Sequence, residues 1–424
     1  MDIPILIIGA GASGLMAAYA ATRARPSCAI VLEKEARAGR KLLATGNGRC
    51  NLYNAHPEKA RLHGSFAPAF ERMAAETSPE ALCAEFARMG LCCREEGEGR
   101  VYPYSGQASA VLDALRFACA RQGAEIVPNA RVTAICPEKR GFRVESAAGT
   151  FRAERVILAA GGCAAPSFGA DGDGVRLLRA LGHEAVQERP AVAPVKVQAD
   201  SIRGMKGIRL RGDVTLLAAG APVQKESGEM IFSDGSVSGV CIMQLARKAG
   251  ELTARRKRVQ LSLDLAPGIN TAALLGMRAE MLGDEPAERL FTGLIPGRAA
   301  MCLLRAAEFG AQDPAKDAPR DVLAALLHDW RLPLTGTAGF AQAQVTAGGL
   351  TAEGFDTITL ESKLWPGLYA CGEALDFDGD CGGYNLMWAW LSGMKAGSHA
   401  SRGAVSGRSR ELSSLARVLG GGAP

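Results

Sequence analysis

The residues best suited to chemistry lie in two stretches near opposite ends of the 424-residue chain. GRKLLATGNGRCNLYN, residues 39–54, sets Gly39, Thr45, Gly46, Asn47 and Asn51 among Arg40, Lys41, Arg49 and Cys50. So many backbone N–H groups with so few bulky side chains suit the wrapping of an anionic, hydrogen-bonding ligand, although a plain glycine-rich surface loop has the same composition. GLYACGEALDFDGDCGGYN, residues 367–385, carries Glu373, three aspartates and the pair Gly382–Gly383 ahead of a helical pattern. An acid that ends a strand can accept hydrogen bonds from sugar-like hydroxyls. A helix start turns a positive dipole end toward an electron-rich ring. Cys50 and Cys381 lie in these loops and are candidate proton donors, Cys381 because it stands where a helix opens. The alternative for each is a small residue filling space. Arg100 and Tyr102 in RVYPYS are candidates for orienting a substrate.

The elements that must position these groups start at the N-terminus. IPILIIGAGASGLMAAYAATRA (3–24) reads as an apolar strand, a glycine turn and a helix, with G-x-G-x-x-G at Gly9, Gly11 and Gly14. The first glycine allows the tight turn, the second lets the backbone approach a pyrophosphate, and the third lets the helix pack on the strand. The helix start then offers free N–H groups to phosphate. SCAIVLEK follows as a second strand ending in Glu33, where a ribose-binding acid is expected. A simple nicotinamide dehydrogenase has no need of the 39–54 loop after that acid. FAD is longer and needs more chain to cover it. RVILAAGGCAAPSFGADGDG (155–174) is a further strand followed by a glycine-rich turn, where the chain returns toward the cofactor. No second nucleotide fingerprint is present, so NAD(P)H is expected as a transient electron donor with no domain of its own. Trp388 and Trp390 are read as core rather than as ring-stacking groups.

GRKLLATGNGRCNLYN, RVYPYSGQASAVLDAL, AAGG with GADGDG, GEMIFSDGSVSG, QVTAGGL and GLYACGEALDFDGDCGGYNLMWAW together resemble the BaiN-type NAD(P)/FAD-dependent oxidoreductases, from residue 1 to about 402. The resemblance implies an α/β fold: a Rossmann-like, doubly wound FAD-binding domain interrupted by an inserted part that is β-barrel-like and then helical. It also implies reduction of a conjugated ring C=C, in a steroid-type intermediate or in uridine of ribosomal RNA. The chain departs from the family pattern at Val240–Cys241 and at Met387, near regions that shape a substrate pocket. With the resemblance, the expected FAD contacts are Gly9, Gly11, Ala12, Ser13, Gly14, Glu33, Lys34, Gly39, Arg40, Lys41, Thr45, Gly46, Asn47, Arg49, Cys50, Asn51 and Val132. They continue with Ala160, Gly161, Gly162, Gly372, Glu373, Asp378, Gly382, Gly383, Tyr384, Asn385 and Leu386.

The expected domain limits are 1–189 and 344–403 for the FAD-binding domain and 190–343 for the insertion, β-rich over 190–265 and helical over 266–343. Residues 404–424 are read as a peripheral tail. At 48% hydrophobic and 22% charged the chain reads as globular. MDIP runs straight into a strand without a secretory pattern, and no apolar run reaches membrane length, so a cytoplasmic location is expected. Twelve cysteines without C-x-x-C spacing and five scattered histidines argue against a structural metal. Between Lys196 and Arg258 stand twelve Lys/Arg against six Asp/Glu. This reads either as a solvated face or as a surface meeting a polyanion. Three functions remain open: an ene-type reductase, with RNA placed ahead of a steroid on account of that basic segment; a flavin oxidase of a small amine; and a non-catalytic flavin-dependent RNA-binding factor. The oligomeric state is not legible.

Overall fold

The computed structural model describes residues 2–402; the tail read as peripheral lies outside the described residues. The chain forms two compact units, one made of residues 1–189 with residue 345 onward and the other of Pro190–Gln344.

In the first unit, β1 (Ile3–Ile8), buried at every position, leads into α1 (Ala12–Ala24) and then β2 (Ala29–Leu32). The loop of interest contains the short α2 (Arg40–Ala44) and runs into β3 (Tyr53–Asn54). β4 (Leu62–His63), α3 (Ala67–Glu76), α4 (Pro79–Arg88), β5 (Cys93–Glu96) and β6 (Arg100–Pro103) follow. Next come α5 (Ala108–Arg121), β7 (Glu125–Val127), β8 (Val132–Pro137), β9 (Phe142–Ser146), β10 (Gly149–Leu158), α6 (Asp173–Arg179) and β11 (Ala185–Ala191).

The second unit holds β12 (Val195–Val197), β13 (Arg209–Ala218), β14 (Ala221–Ser233), β15 (Ser236–Ser238), α7 (Val240–Ala254) and β16 (Val259–Asp264). α8 (Thr271–Leu282), α9 (Gly297–Ala306), α10 (Arg320–His328) and β17 (Trp330–Thr337) complete it. Its six strands close into a barrel, in the order β12-β15-β14-β13-β16-β17. Two details differ from the sequence reading. The segment read as β-rich contains the 15-residue α7, because CIMQLARKAGEL repeats its apolar residues at helical spacing and buries Cys241, Ile242, Leu245, Ala246, Ala249 and Leu252. The segment read as helical ends in β17, which alternates over Trp330 and Leu332 and pairs with β16 and β12.

The first unit is completed by β18 (Val345–Leu350), β19 (Leu368–Ala370), β20 (Asp378–Gly379) and α11 (Tyr384–Arg402). Its seven-stranded sheet runs β7-β2-β1-β10-β9-β8, with β19 also paired to β10. The pairs β2–β7, β1–β2, β1–β10 and β10–β19 are parallel. The carboxyl ends of β1, β2, β10 and β19 therefore open on one edge of the sheet, where doubly wound folds bind their ligands. α11 lies against α1 because Gly393 and Gly397 carry no side chain. A Cβ at Gly393 would stand 2.5 Å from the Ser13 carbonyl oxygen, and one at Gly397 would strike that of Ala17. Among the described residues no helix is long and apolar enough to cross a membrane.

Candidate functional site

Four chain exits meet at that sheet edge: Gly9 after β1, Glu33 after β2, Ala159–Gly162 after β10, and Cys371–Glu373 after β19. The three fingerprint glycines divide by what surrounds them. A Cβ at Gly9 would lie 2.5 Å from the Ala159 carbonyl oxygen, and one at Gly14 would strike the Gly9 carbonyl. These two are required by the protein's own packing. A Cβ at Gly11 would meet nothing within 4 Å. Gly11 also caps α1 without a side-chain hydrogen bond, and no acidic residue occupies the first turn. The helix start, with Ala12 and Ser13, thus keeps its positive end free for an anion outside the chain. Glu33 is nearly buried; its Oε2 accepts from Ala10 N at 2.8 Å and its Oε1 from Glu35 N at 2.9 Å. It shapes the glycine turn itself while standing where a ribose-binding acid belongs. Ala130 N donates to Glu33 O at 2.8 Å, which brings the start of β8, with Val132, alongside.

A polar chain ties the distant motifs together. Lys41 Nζ donates to Glu373 Oε2 at 2.6 Å, and Thr346 N donates to Glu373 Oε1 at 2.7 Å. Thr346 Oγ1 in turn accepts from Cys163 N and Ala164 N at 2.8 and 2.9 Å. Glu373, expected to meet ribityl hydroxyls, is thus already engaged by two partners of the chain. Thr346 was not singled out in the sequence. The QVTAGG motif holding it gave the only signal.

The GNGRC turn rests on the β3–β6–β5 sheet. Gly46 and Asn47 both adopt left-handed backbone, and Thr45 Oγ1 donates to Leu42 O at 2.6 Å. The Arg49 guanidinium lies 4.3 Å from the Tyr102 ring centre and pairs with Glu96 at 2.6 Å. Arg100 pairs with Glu98. Tyr102 thus lies against the loop through Arg49, whereas the Arg100 side chain is engaged by Glu98 of the neighbouring turn. Cys50 is also placed differently from expectation. It has no exposed surface, and burial pushes its thiol up to about 12. Such burial favours a packing role for the Cys50 side chain over that of a proton donor. Cys381, half-buried, stands three residues before α11 rather than at its first turn.

Asn54 and Asn385 hold the two key loops in register. Asn54 is buried, and its Nδ2 donates to Glu98 O and to Gly382 O, at 3.2 and 3.1 Å. Asn385 exchanges two hydrogen bonds with the Gly379 backbone, at 2.9 and 2.7 Å. Asp378 is buried in β20, opposite His63 of β4. Asp380 accepts from His63 and Arg61, at 3.0 and 3.2 Å. A Cβ at Gly383 would come 2.5 Å from the Tyr53 backbone, so GRCNLYN and CGGYN touch directly. Tyr384 is buried and Leu386 half-buried in the first turn of α11. Trp388 and Trp390 are core residues, as read, their indole nitrogens donating to Gly372 O at 3.0 Å and Leu52 O at 2.8 Å.

The basic segment of the second unit is not one surface. Arg203 pairs with Asp200 at 2.6 Å, Lys206 with Asp234 at 2.6 Å, and Arg209 with Glu229 at 3.2 Å. Arg209 opens β13, whereas Arg258 O accepts from Ala219 N just beyond the end of that strand, at 2.9 Å. Ten residues of strand place these groups roughly 30 Å apart. Arg255–Arg258 are exposed and make no ion pair among the described residues.

The Rossmann-like fold, a matching family model over nearly the whole chain and a 34%-identical relative named as a reductase make the chain a flavoprotein oxidoreductase. It belongs to the family described as HI0933-like protein Rossmann domain, whose model matches residues 3–399. It is 34% identical over 403 residues to the 3-dehydro-bile acid delta(4,6)-reductase of Clostridium scindens, covering 93% of this chain and 98% of that one. It is 25% identical over 395 residues to the ribosomal RNA dihydrouridine synthase of Escherichia coli, covering 91% and 95%. Its fold is similar to that of the 3-ketosteroid-delta4-(5alpha)-dehydrogenase of Rhodococcus jostii, with a TM-score of 0.50, 17% identity and coverage of 95% and 97%.

Proposed function

We propose that the protein is a FAD-dependent ene-reductase acting on a small, apolar, cyclic substrate whose C=C is conjugated to a carbonyl, with NAD(P)H as the transient electron donor. The observation that carries the reading is the open face of Gly11, with an uncapped helix start behind it and Glu33 beside it. The chain has no packing use for that glycine, and the space it leaves suits a pyrophosphate. Bound FAD would supply a two-electron hydride carrier.

The chain's own groups would do the rest. Backbone N–H groups of Gly11, Ala12 and Ser13 would receive the pyrophosphate, and Glu33 the adenosine ribose. Lys41 and Glu373 would sit along the ribityl side, held in one geometry by their ion pair and by Thr346 N–H. Gly382 and Gly383, pinned by Asn54 and Tyr53, would let backbone approach the ring from the α11 side.

A small enone is favoured over RNA because three cations of the basic segment, Arg203, Lys206 and Arg209, are already paired with carboxylates. The 34% identity to an enzyme named as a bile-acid reductase points the same way. Reduction of uridine in RNA is the second reading, favoured by the unpaired Arg255–Arg258 turn. The test is anaerobic. The flavoprotein is reduced, then mixed with a 4,6-dien-3-one steroid or with ribosomal RNA fragments. Rapid reoxidation by the steroid alone is the expected result; reoxidation by RNA alone would overturn the substrate class. Absence of flavin in the purified protein, with no uptake of added FAD, would overturn the reading as a whole.

A further inference from the structure

The turn between β10 and α6 does more than connect them. In the sheet order β2-β1-β10, the strand β1 lies between the other two. Residues 163–172 leave the carboxyl end of β10 and become tied to residues just past the end of β2. The segment therefore passes over the carboxyl end of β1, above the glycine turn. Its ties lie on both sides. At one end, Cys163 N and Ala164 N donate to Thr346 Oγ1 at 2.8 and 2.9 Å. In the middle, Arg40 donates to Ser167 O at 2.9 Å and pairs with Glu35. At the far end, Asp171 binds Lys34 Nζ at 2.6 Å through Oδ1 and Arg131 at 2.8 Å through Oδ2. Arg131 also reaches Asp173 at 2.6 Å, and Arg176 reaches it at 3.0 Å.

These ties differ in kind. Thr346 Oγ1 is buried and holds backbone, which makes a permanent anchor. The Asp171 carboxylate is about one-third exposed and joins two cations from separate segments, which makes a fastening that water and salt can open. Gly172 N also donates to Gly162 O at 3.2 Å just ahead of α6, so both feet of the segment are fixed, and it is the crest between them, held by Arg40 on Ser167 O and by the Asp171 carboxylate, that can lift.

We propose that residues 163–172 form a strap over the dinucleotide site, and that Asp171, with Lys34 and Arg131, is the latch that sets how fast FAD leaves. Asp171 is a positioning residue, since it acts on the cofactor through the strap. The inference rests on the reading that FAD lies along the glycine turn. Opening the latch exposes the pyrophosphate side of the site, whereas the contacts of Glu33 and the α1 start remain in place. The latch thus governs exchange and leaves the bound geometry alone.

The experiment measures release of FAD from the holoprotein by ultrafiltration over time after dilution, at 50 mM and 500 mM sodium chloride. Asp171→Asn is expected to release FAD roughly three- to tenfold faster at low salt, the scale of losing two half-exposed ion pairs. Asp171→Glu is expected to restore slow release. Wild-type release should quicken with salt, and that of Asp171→Asn should not. Arg131→Met tests the latch from the opposite side, so the result does not depend on one variant folding. Equal, salt-independent release from wild type, Asp171→Asn and Arg131→Met would overturn the latch. Wild-type protein that neither holds nor takes up FAD would instead overturn the reading beneath it.

Discussion

Lys41 and Glu373 stand 332 positions apart in the sequence and 2.6 Å apart in space. The pair joins the loop after β2 to the turn after β19, and Glu373 adds Thr346 N–H as a second partner. Removing the carboxylate leaves a half-buried ammonium and an amide without an acceptor. Glu373→Ala is expected to lower stability by about 1–3 kcal/mol and to weaken FAD retention. Differential scanning fluorimetry with and without added FAD checks both. An unchanged melting temperature in both states would show the pair to be ornamental.

The fingerprint glycines should separate by variant. Gly14→Ala forces a methyl onto the Gly9 carbonyl and should destabilise the protein even without cofactor. A Cβ at Gly11 meets no atom of the chain within 4 Å, so Gly11→Val should leave apoprotein stability near wild type while FAD binding is lost. Thermal melts paired with flavin absorbance distinguish the two. Full FAD occupancy in Gly11→Val would remove the pyrophosphate from that turn.

Glu33 holds Ala10 N and Glu35 N in the protein's own structure. Glu33→Ala should therefore cost about 1–3 kcal/mol of apoprotein stability in addition to weakening FAD. Glu33→Gln keeps one acceptor and should cost less. Titration of apoprotein with FAD, together with urea unfolding, checks the order.

The buried thiols predict a loss of stability at alkaline pH. Cys50, Cys119 and Cys371 are fully buried, and burial pushes each up to about 12. In the unfolded chain a thiol ionises near pH 8.5. Above that pH the unfolded state binds fewer protons than the folded one, so stability falls as pH rises toward 12 and is intact below about pH 8. Unfolding free energy should drop between pH 9 and 11, more gently in Cys50→Ala at the alkaline end. Turnover in Cys50→Ala should stay near wild type at neutral pH, which also tests whether its thiol is a proton donor.

The glycine turn, the acid after the second strand and the terminal helix at CGGYN were legible because each depends on local rules: which residues fit a tight turn, and what ends a strand. The surroundings of Cys50, Arg100 and Tyr102 were not. Their meaning lies in what packs against them, and nothing in GRCN or RVYP announces that the thiol faces the core or that the ring sits under Arg49. The basic segment shows the same limit. Arg209 and Arg258 look close in a charge count, but a ten-residue strand carries them to opposite ends of the barrel. Thr346 escaped notice because its hydroxyl serves backbone groups 182 and 183 positions away.

The interruption of the first unit has a consequence for synthesis. β10 emerges from the ribosome long before its neighbour β19 and before α11, with the 155 residues of Pro190–Gln344 translated between them. At ordinary elongation rates that interval lasts roughly 8–30 s. The barrel unit is contiguous and can fold during the wait. Meanwhile the first half has α1 in place, but the face that receives Gly393 and Gly397 is uncovered and the Glu373 partner of Lys41 does not yet exist. Until α11 is made, the nascent first unit thus lacks both the helix that covers α1 and the carboxylate that pairs with Lys41, for many seconds at ordinary elongation rates.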